Sequence, residues 1–240
     1  MPIYNAYRER TRLPGIVDDK ALSGVNPGSF AGLIVWLAAR METAFADNDD
    51  VGTWTDHSGL GHDATQATAD NKPHYKTGII NGNAVLRFDG TNDTMTLGDL
   101  SAHFATAATV FVVASACSQY NLYTTHSNGD ADIYWNTSGT GYFGPFRTGR
   151  YEGWPAVVPT TGNHLWVVKS VTGVGGYEVI IDNISKGVQN ATHAAGTAHG
   201  LSENKRLTGD IAEVILYDTV LSAGNIDIIE AYLNAIYAIY

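Results

Sequence analysis

A single cysteine, Cys117, excludes any intrachain disulfide. It lies in the apolar stretch TVFVVASAC, where a thiol reads as a small buried hydrophobe. Charge is scarce as well: 16% of the 240 residues are charged, and the 14 basic residues gather into no stripe beside the 24 acidic ones. At a formal net charge of −10 the chain lacks the means to neutralise phosphates, so a nucleic-acid partner is not expected. Long apolar runs are missing too. The longest, Leu33 to Ala39, is far short of the roughly 18 residues that suggest a membrane span, so it reads as a core strand and no membrane insertion is expected. The N-terminal MPIYNAYRERTRLPG has the charge of a secretory leader without the apolar region that must follow, so export by a signal peptide is not expected.

What the chain has instead is 26 Gly, 13 Tyr and 5 Trp, which suit a turn-rich all-β domain. After Leu33, strands are predicted at Val85 to Phe88, Thr94 to Leu97, Thr109 to Ser115, Tyr120 to Thr124, Ala131 to Asn136 and Gly141 to Phe146, then at Leu165 to Val171, Tyr177 to Asp182 and Asp210 to Tyr217. Asn128-Gly129 and Asp182-Asn183 stand where hairpin turns need positive φ. Many short strands with such punctuation imply two packed antiparallel sheets. Residues 1–30 differ: they are polar, interrupted by Pro2, Pro14 and Pro27, and have neither period. They read either as a disordered terminus or as an extended arm whose anchors, Tyr4, Tyr7, Leu13, Ile16 and Val17, could lie along a neighbouring subunit or along the arm's own domain, residues 31–240.

The C-terminal run changes period at one point. From Gly209 to Tyr217 the side chains alternate, with Ile211, Glu213, Ile215 and Tyr217 on one face and Ala212, Val214 and Leu216 on the other. After Ser222, the expected N-cap, an apolar stripe of Ile226, Ile229, Leu233, Ile236 and Tyr240 predicts an amphipathic helix with Asp227 and Glu230 toward solvent.

This ending resembles the last strand and terminal helix of laminin-G-like, concanavalin A-like lectin and glucanase domains. Val51 to Asp99 is similar to the early part of the same family, with a W-x-D-x-SG-x-GHDATQ loop, a P-x-Y step, an ING turn and an RFDG-x-x-D strand. Leu33 to Arg40 resembles its opening strand and His164 to Gly187 its late hairpin. The resemblance implies a two-sheet antiparallel jelly-roll sandwich with a short C-terminal helix, preceded here by the arm. Such sandwiches host lectins, glycosidases and structural modules alike.

Glycoside hydrolysis needs two carboxylates facing one another across a cleft. The E-x-D-x-E pattern of the family's catalytic members is absent, and NIDIIE, Asn225 to Glu230, belongs to the terminal helix. Glu213 and Asp218 on the last strand are a weaker pair, and Glu213, alone among hydrophobics, is equally suited to capping a backbone donor or to forming a buried pair. No G-x-S-x-G elbow accompanies the eight scattered histidines. His57 and His62 are expected to hold the SGLG turn through their ring nitrogens, and the cysteine and histidine content is too sparse for a zinc cluster. Calcium is the one candidate cofactor, with ligands Asp89, Asn92 and Asp93 or Asp130 and Asp132, against the alternative that these are ordinary Asx turns. Asp47 to Asp50 is acidic but does not follow the EF-hand pattern.

The most function-like segment is Tyr134 to Pro155, in which Trp135, Arg147, Arg150, Tyr151 and Trp154 are candidates for gripping a glycan or a protein partner. Alternation requires about half of the segment's rings to point inward, and an entirely structural hairpin is the alternative to a binding face. The function expected is non-catalytic: a surface-displayed component of a larger assembly, such as a bacteriophage decoration or tail protein, docked on other structural proteins through its arm and touching cell-surface glycans through its sandwich. Its location would be the virion or another extracellular assembly. The alternatives are a free-standing lectin and, third, a glycoside hydrolase; a homo-oligomer fits any of them.

Overall fold

The computed structural model describes residues 24–115, 122–125, 132–135, 141–143, 146, 159, 161–203 and 207–240. The strands are β1 Leu33–Ala38, β2 Thr53–Trp54, β3 Ala64–Thr65, β4 His74–Ile80, β5 Asn83–Asp89, β6 Met95–Gly98, β7 Ala107–Ser115 and β8 Tyr123–Thr124. They continue as β9 Asp132–Trp135, β10 Gly141–Phe143, β11 Asn163–Val171, β12 Gly173–Ile181, β13 Ile184–Ala191, β14 His199–Leu201 and β15 Thr208–Tyr217, and one helix, α1 Ala223–Tyr237, follows. Every strand pairing is antiparallel. The first sheet runs β13-β12-β11-β7-β15-β5-β4 with β1 also paired to β15, and the second runs β10-β9-β8-β14-β6-β3-β2. The two form the expected jelly-roll sandwich.

Period-two strands have two faces, and in the first sheet both are buried. Val110, Val112 and Ala114 of β7 join the core between the sheets, whereas Phe111 and Val113 join a second core with Ile226, Ile229, Leu233 and Tyr237 of α1. That is why β7 reads as an unbroken apolar run. The β12–β13 turn forms as expected, with Asp182 at φ 52° and Asn183 at φ 60°.

Two expected faces are corrected. Ile211 pairs with Ala114 but Glu213 pairs with the next residue, Val113, so Ala212 is the extra residue of a β-bulge. The bulge puts Ile211 in the inter-sheet core with Val214 and Leu216, while Ala212, Ile215 and Tyr217 face α1. On α1 the buried stripe is Ile226, Ile229, Glu230, Leu233 and Tyr237. Tyr240 lies beyond the helix and is exposed, and Glu230, expected toward solvent, is fully buried.

Ser222 caps α1 as expected, its Oγ accepting from Asn225 N at 3.2 Å. At the other end Ala238 takes the left-handed conformation, φ 48°, and Asn234 Oδ1 accepts from the amides of Ile239 and Tyr240. Asn81 Nδ2 and Asn83 Nδ2, from the β4–β5 turn, both donate to Ile236 O and tie the helix end to the sheet. Of the expected arm, Gly24 to Phe30 is described: Pro27 is buried and its carbonyl accepts from Tyr217 Oη at 2.8 Å. Tyr4, Tyr7, Leu13, Ile16 and Val17 lie outside the described residues.

Candidate functional site

The bulge at Ala212 delivers Glu213 to the junction where one edge of β15 passes from β5 to β1. The turn Ala39–Met41, immediately after β1, brings Arg40 to the same place. Glu213 is 1% exposed and accepts three bonds: Trp36 Nε1 at 2.7 Å, Tyr237 Oη at 2.7 Å and Arg40 Nε at 3.2 Å. Arg40 Nη2 also donates to Tyr232 Oη at 2.7 Å. Burial opposes the charge of Arg40, but Glu213 beside it raises the guanidinium pKa above its ordinary value. Burial, reinforced by the Glu213 charge, likewise pushes the Tyr237 hydroxyl far up. Of the two structural roles open to Glu213, this is the buried pair, its carboxylate engaged by side-chain donors and capping no backbone donor among the described residues.

Arg40 also lines a shallow depression of about 240 Å³ with Tyr75, Thr77, Gly78, Gly82, Asn83 and Ala84. The register of β4 against β5 shifts between Lys76 and Ile80, which opens the hairpin there. Gly78 and Gly82 at φ 69° and 78° have positions where a Cβ would meet open space. Tyr75 Oη bonds the carbonyls of Ala39 and Glu42 at 3.2 and 3.3 Å, fixing the ring beneath the rim. Arg40 Nη1 has no hydrogen-bond partner among the described residues. The site therefore offers a guanidinium donor whose charge is balanced from below and two acceptor oxygens, Thr77 Oγ1, whose proton goes to Asp47 Oδ1, and Asn83 Oδ1, whose Nδ2 is held by the carbonyls of Ile80, Asn81 and Ile236, which suits a polar, uncharged ligand that donates. The ING turn was the sequence signal nearest to it. No sequence pattern marked Arg40, because its place depends on the bulge.

The W-x-D-x-SG loop is held differently from expectation. Asp56 Oδ1 accepts from Trp36 N and Ser58 N, and Oδ2 from Ser58 Oγ and His62 N, all within 2.6–2.9 Å. Burial would raise the Asp56 pKa, yet these bonds outweigh it and hold the carboxyl below its ordinary value. The rings of His57 and His62 bond no carbonyl among the described residues; His57 packs edge-on to Trp36 and His62 to His103. The loop is stapled by a carboxylate.

Among the candidate calcium ligands, Asp93 Oδ2 accepts from Asp89 N, Asp89 Oδ1 accepts from Thr91 N and Asn92 N, and Asn92 Nδ2 donates to Asp70 O and Asn71 Oδ1. Burial pushes Asp93 up to about 6. Among the described residues no three His, Cys, Asp or Glu side chains converge as a metal site. Asp132 lies in β9 opposite Thr124, and Asp130 lies outside the described residues. Trp135 ends β9 opposite Gly141; Arg147, Arg150, Tyr151 and Trp154 lie outside the described residues, as do Cys117 and the Asn128-Gly129 turn.

Phe146, expected in a strand, instead sits after β10 at φ 61°, fully buried. It stacks on His193 at 5.7 Å and packs on Phe104 at 4.8 Å, so at least one ring of the aromatic segment points inward as alternation requires.

No family model matches the chain. No curated protein matches it in sequence. Among solved structures, the chain is similar to domain 4 of an extracellular arabinanase from Geobacillus stearothermophilus in complex with arabinotriose, at 16% identity and TM-score 0.56, over 82% of this chain and 97% of that one. It is similar to a Trypanosoma rangeli sialidase in complex with sialic acid at 14% identity and TM-score 0.55 over 86% of this chain, and it spans 34% of the sialidase's length. Botulinum neurotoxin type C, described as interacting with two ganglioside molecules, matches at 11% identity and TM-score 0.56, over 84% of this chain and 51% of that one. At these identities the likeness is one of fold.

Proposed function

We propose that this chain is a non-catalytic glycan-binding sandwich, displayed on a virion or another extracellular assembly whose structural proteins hold its N-terminal arm. The observation that carries glycan binding is the depression at the β4–β5 hairpin, where Arg40, Thr77 and Asn83 offer polar groups over glycine-made space. Further support comes from the arabinanase domain, whose length is matched almost completely and whose structure holds arabinotriose. Glu213 supports a non-catalytic reading because its carboxylate is enclosed by Trp36, Arg40 and Tyr237. The arm rests on sequence, and deleting residues 1–23 is its test: if binding to the assembly survives, the docking role fails.

Calorimetric titration with arabinotriose, sialic acid and ganglioside oligosaccharides tests the sandwich. Thr77→Ala and Asn83→Ala are each expected to weaken binding about 5-fold, the effect of one lost neutral hydrogen bond. If Trp135→Ala and Trp154→Ala weaken binding while the first two variants do not, the site lies on the aromatic segment. No heat from any of the sugars at millimolar ligand would sink the glycan reading.

A further inference from the structure

His164, the second residue of β11, holds two acceptors at once. Its Nδ1 lies 2.6 Å from Asp182 Oδ2 and its Nε2 lies 2.8 Å from Thr161 O. A carbonyl oxygen and an ionised carboxylate both accept and neither donates, so both contacts can be hydrogen bonds only while the pair retains the proton that makes the ring an imidazolium. Asp182 cannot swing away, because its amide donates to Leu165 O and its Oδ1 accepts from Leu165 N, each at 3.0 Å. The ring stands edge-on to Trp166 at 6.2 Å, and Ala114 is its uncharged register partner on β7. Asp182 and Lys186 are the charged groups that face it among the described residues.

We propose that His164 is a pH-operated latch, fastening Thr161 and the residues that lead into β11 to the β12–β13 turn while the ring is doubly protonated. When the proton leaves, the remaining N–H stays with the carboxylate, because that bond is charge-assisted. Nε2 then turns a lone pair toward the Thr161 carbonyl, and that contact changes from attractive to repulsive. Burial disfavours the imidazolium and Lys186 opposes it, but the bonds to Asp182 and Thr161 and the Asp182 charge prevail, holding the pKa above its ordinary 6.5. A pKa raised on folding means that the latch stabilises fully below the unfolded value and is lost as pH rises through the folded value.

His193 supplies the contrast within the same fold. Its Nε2 meets Phe104 O at 2.8 Å and its Nδ1 meets Ser170 Oγ at 2.9 Å, a hydroxyl that also lies 3.1 Å from Phe146 O; a neutral ring keeps both contacts when that hydroxyl turns its one proton to Nδ1, an option an ionised carboxylate lacks. Burial holds its pKa below the ordinary value.

The test is an NMR titration of the full chain, following the His164 and His193 rings together with the Thr161 carbonyl carbon. The latch requires His164 to titrate above 6.5, the Thr161 signal to move with the same midpoint, and His193 to titrate below 6.5. Asp182→Asn keeps a residue that tolerates the positive φ, and it should shift both the His164 and Thr161 midpoints downward together. A His164 midpoint at or below 6.5 in the intact chain, or a Thr161 carbonyl indifferent to the ring's titration, would overturn the proposal.

Discussion

The first sheet has a core on each side, and the two are built differently. Between the sheets, Phe88, Met95, Phe104, Leu201 and Leu216 fill the space with apolar atoms. Beneath α1, Trp36, Ile215, Leu233 and Tyr237 surround a full carboxylate, Glu213, and the guanidinium that answers it. Each sheet is fixed by its own backbone bonds, so apolar filling is enough to join them. A single helix on a sheet can slide or rotate, and the contacts of Tyr237 and Tyr232 with Glu213 and Arg40 define where it stops. Buried polar groups specify position here at some cost in desolvation.

That contrast can be broken by experiment. Phe88→Ala should cost the most, about 3–5 kcal/mol in urea unfolding, because a close-packed inter-sheet core leaves a cavity where the ring was. Glu213→Gln should cost about 3 kcal/mol, the low end for a broken buried pair, since Arg40 keeps some access to water. A Glu213→Leu, Arg40→Leu double variant should recover much of that loss while loosening α1, read as faster amide exchange along the helix. If the double variant is as unstable as the single one and exchange is unchanged, the polar cluster is not what positions α1. Smallest are the helix ends: Ser222→Ala should lower stability by about 1 kcal/mol, and Ala238→Gly should raise it by about 1 kcal/mol by relieving the left-handed residue.

The same contrast governs what could be read beforehand. Core strands such as β7 and β11 announce themselves, because two-sided burial demands uninterrupted apolar residues. β2 and β3, two residues each, are too short to show a period, and β13, ISKGVQNA, follows the β12–β13 turn with a register shift that scrambles alternation. The α1 stripe had the right period but the wrong phase toward its end. Pattern reading prefers Ile236 and Tyr240 to Glu230 and Tyr237, whereas packing buries the latter two. Arg40 and Glu213 are 173 residues apart and meet through a bulge, which no local pattern encodes. Asp56 was visible as part of a motif, yet the histidines beside it drew the structural role because a carboxylate's appetite for backbone donors leaves no spacing signature.

β15 has an order-of-events consequence. It runs beside β7 along one edge and beside β5 and then β1 along the other, so this last strand of the sandwich joins strands formed from much earlier residues. Trp36 and Glu213, which it unites, are 177 positions apart. A chain emerging from the ribosome can form the β4–β5 and β11–β12 hairpins early, but the gap between β7 and β5 stays open until Thr208 to Tyr217 has been released. Closure of the sandwich thus waits for β15 and is an event of high contact order, on the slow, roughly millisecond-to-second scale of such topologies. Until then two apolar edges wait for a partner, and crowding of nascent chains is the hazard that the protein's producer must manage.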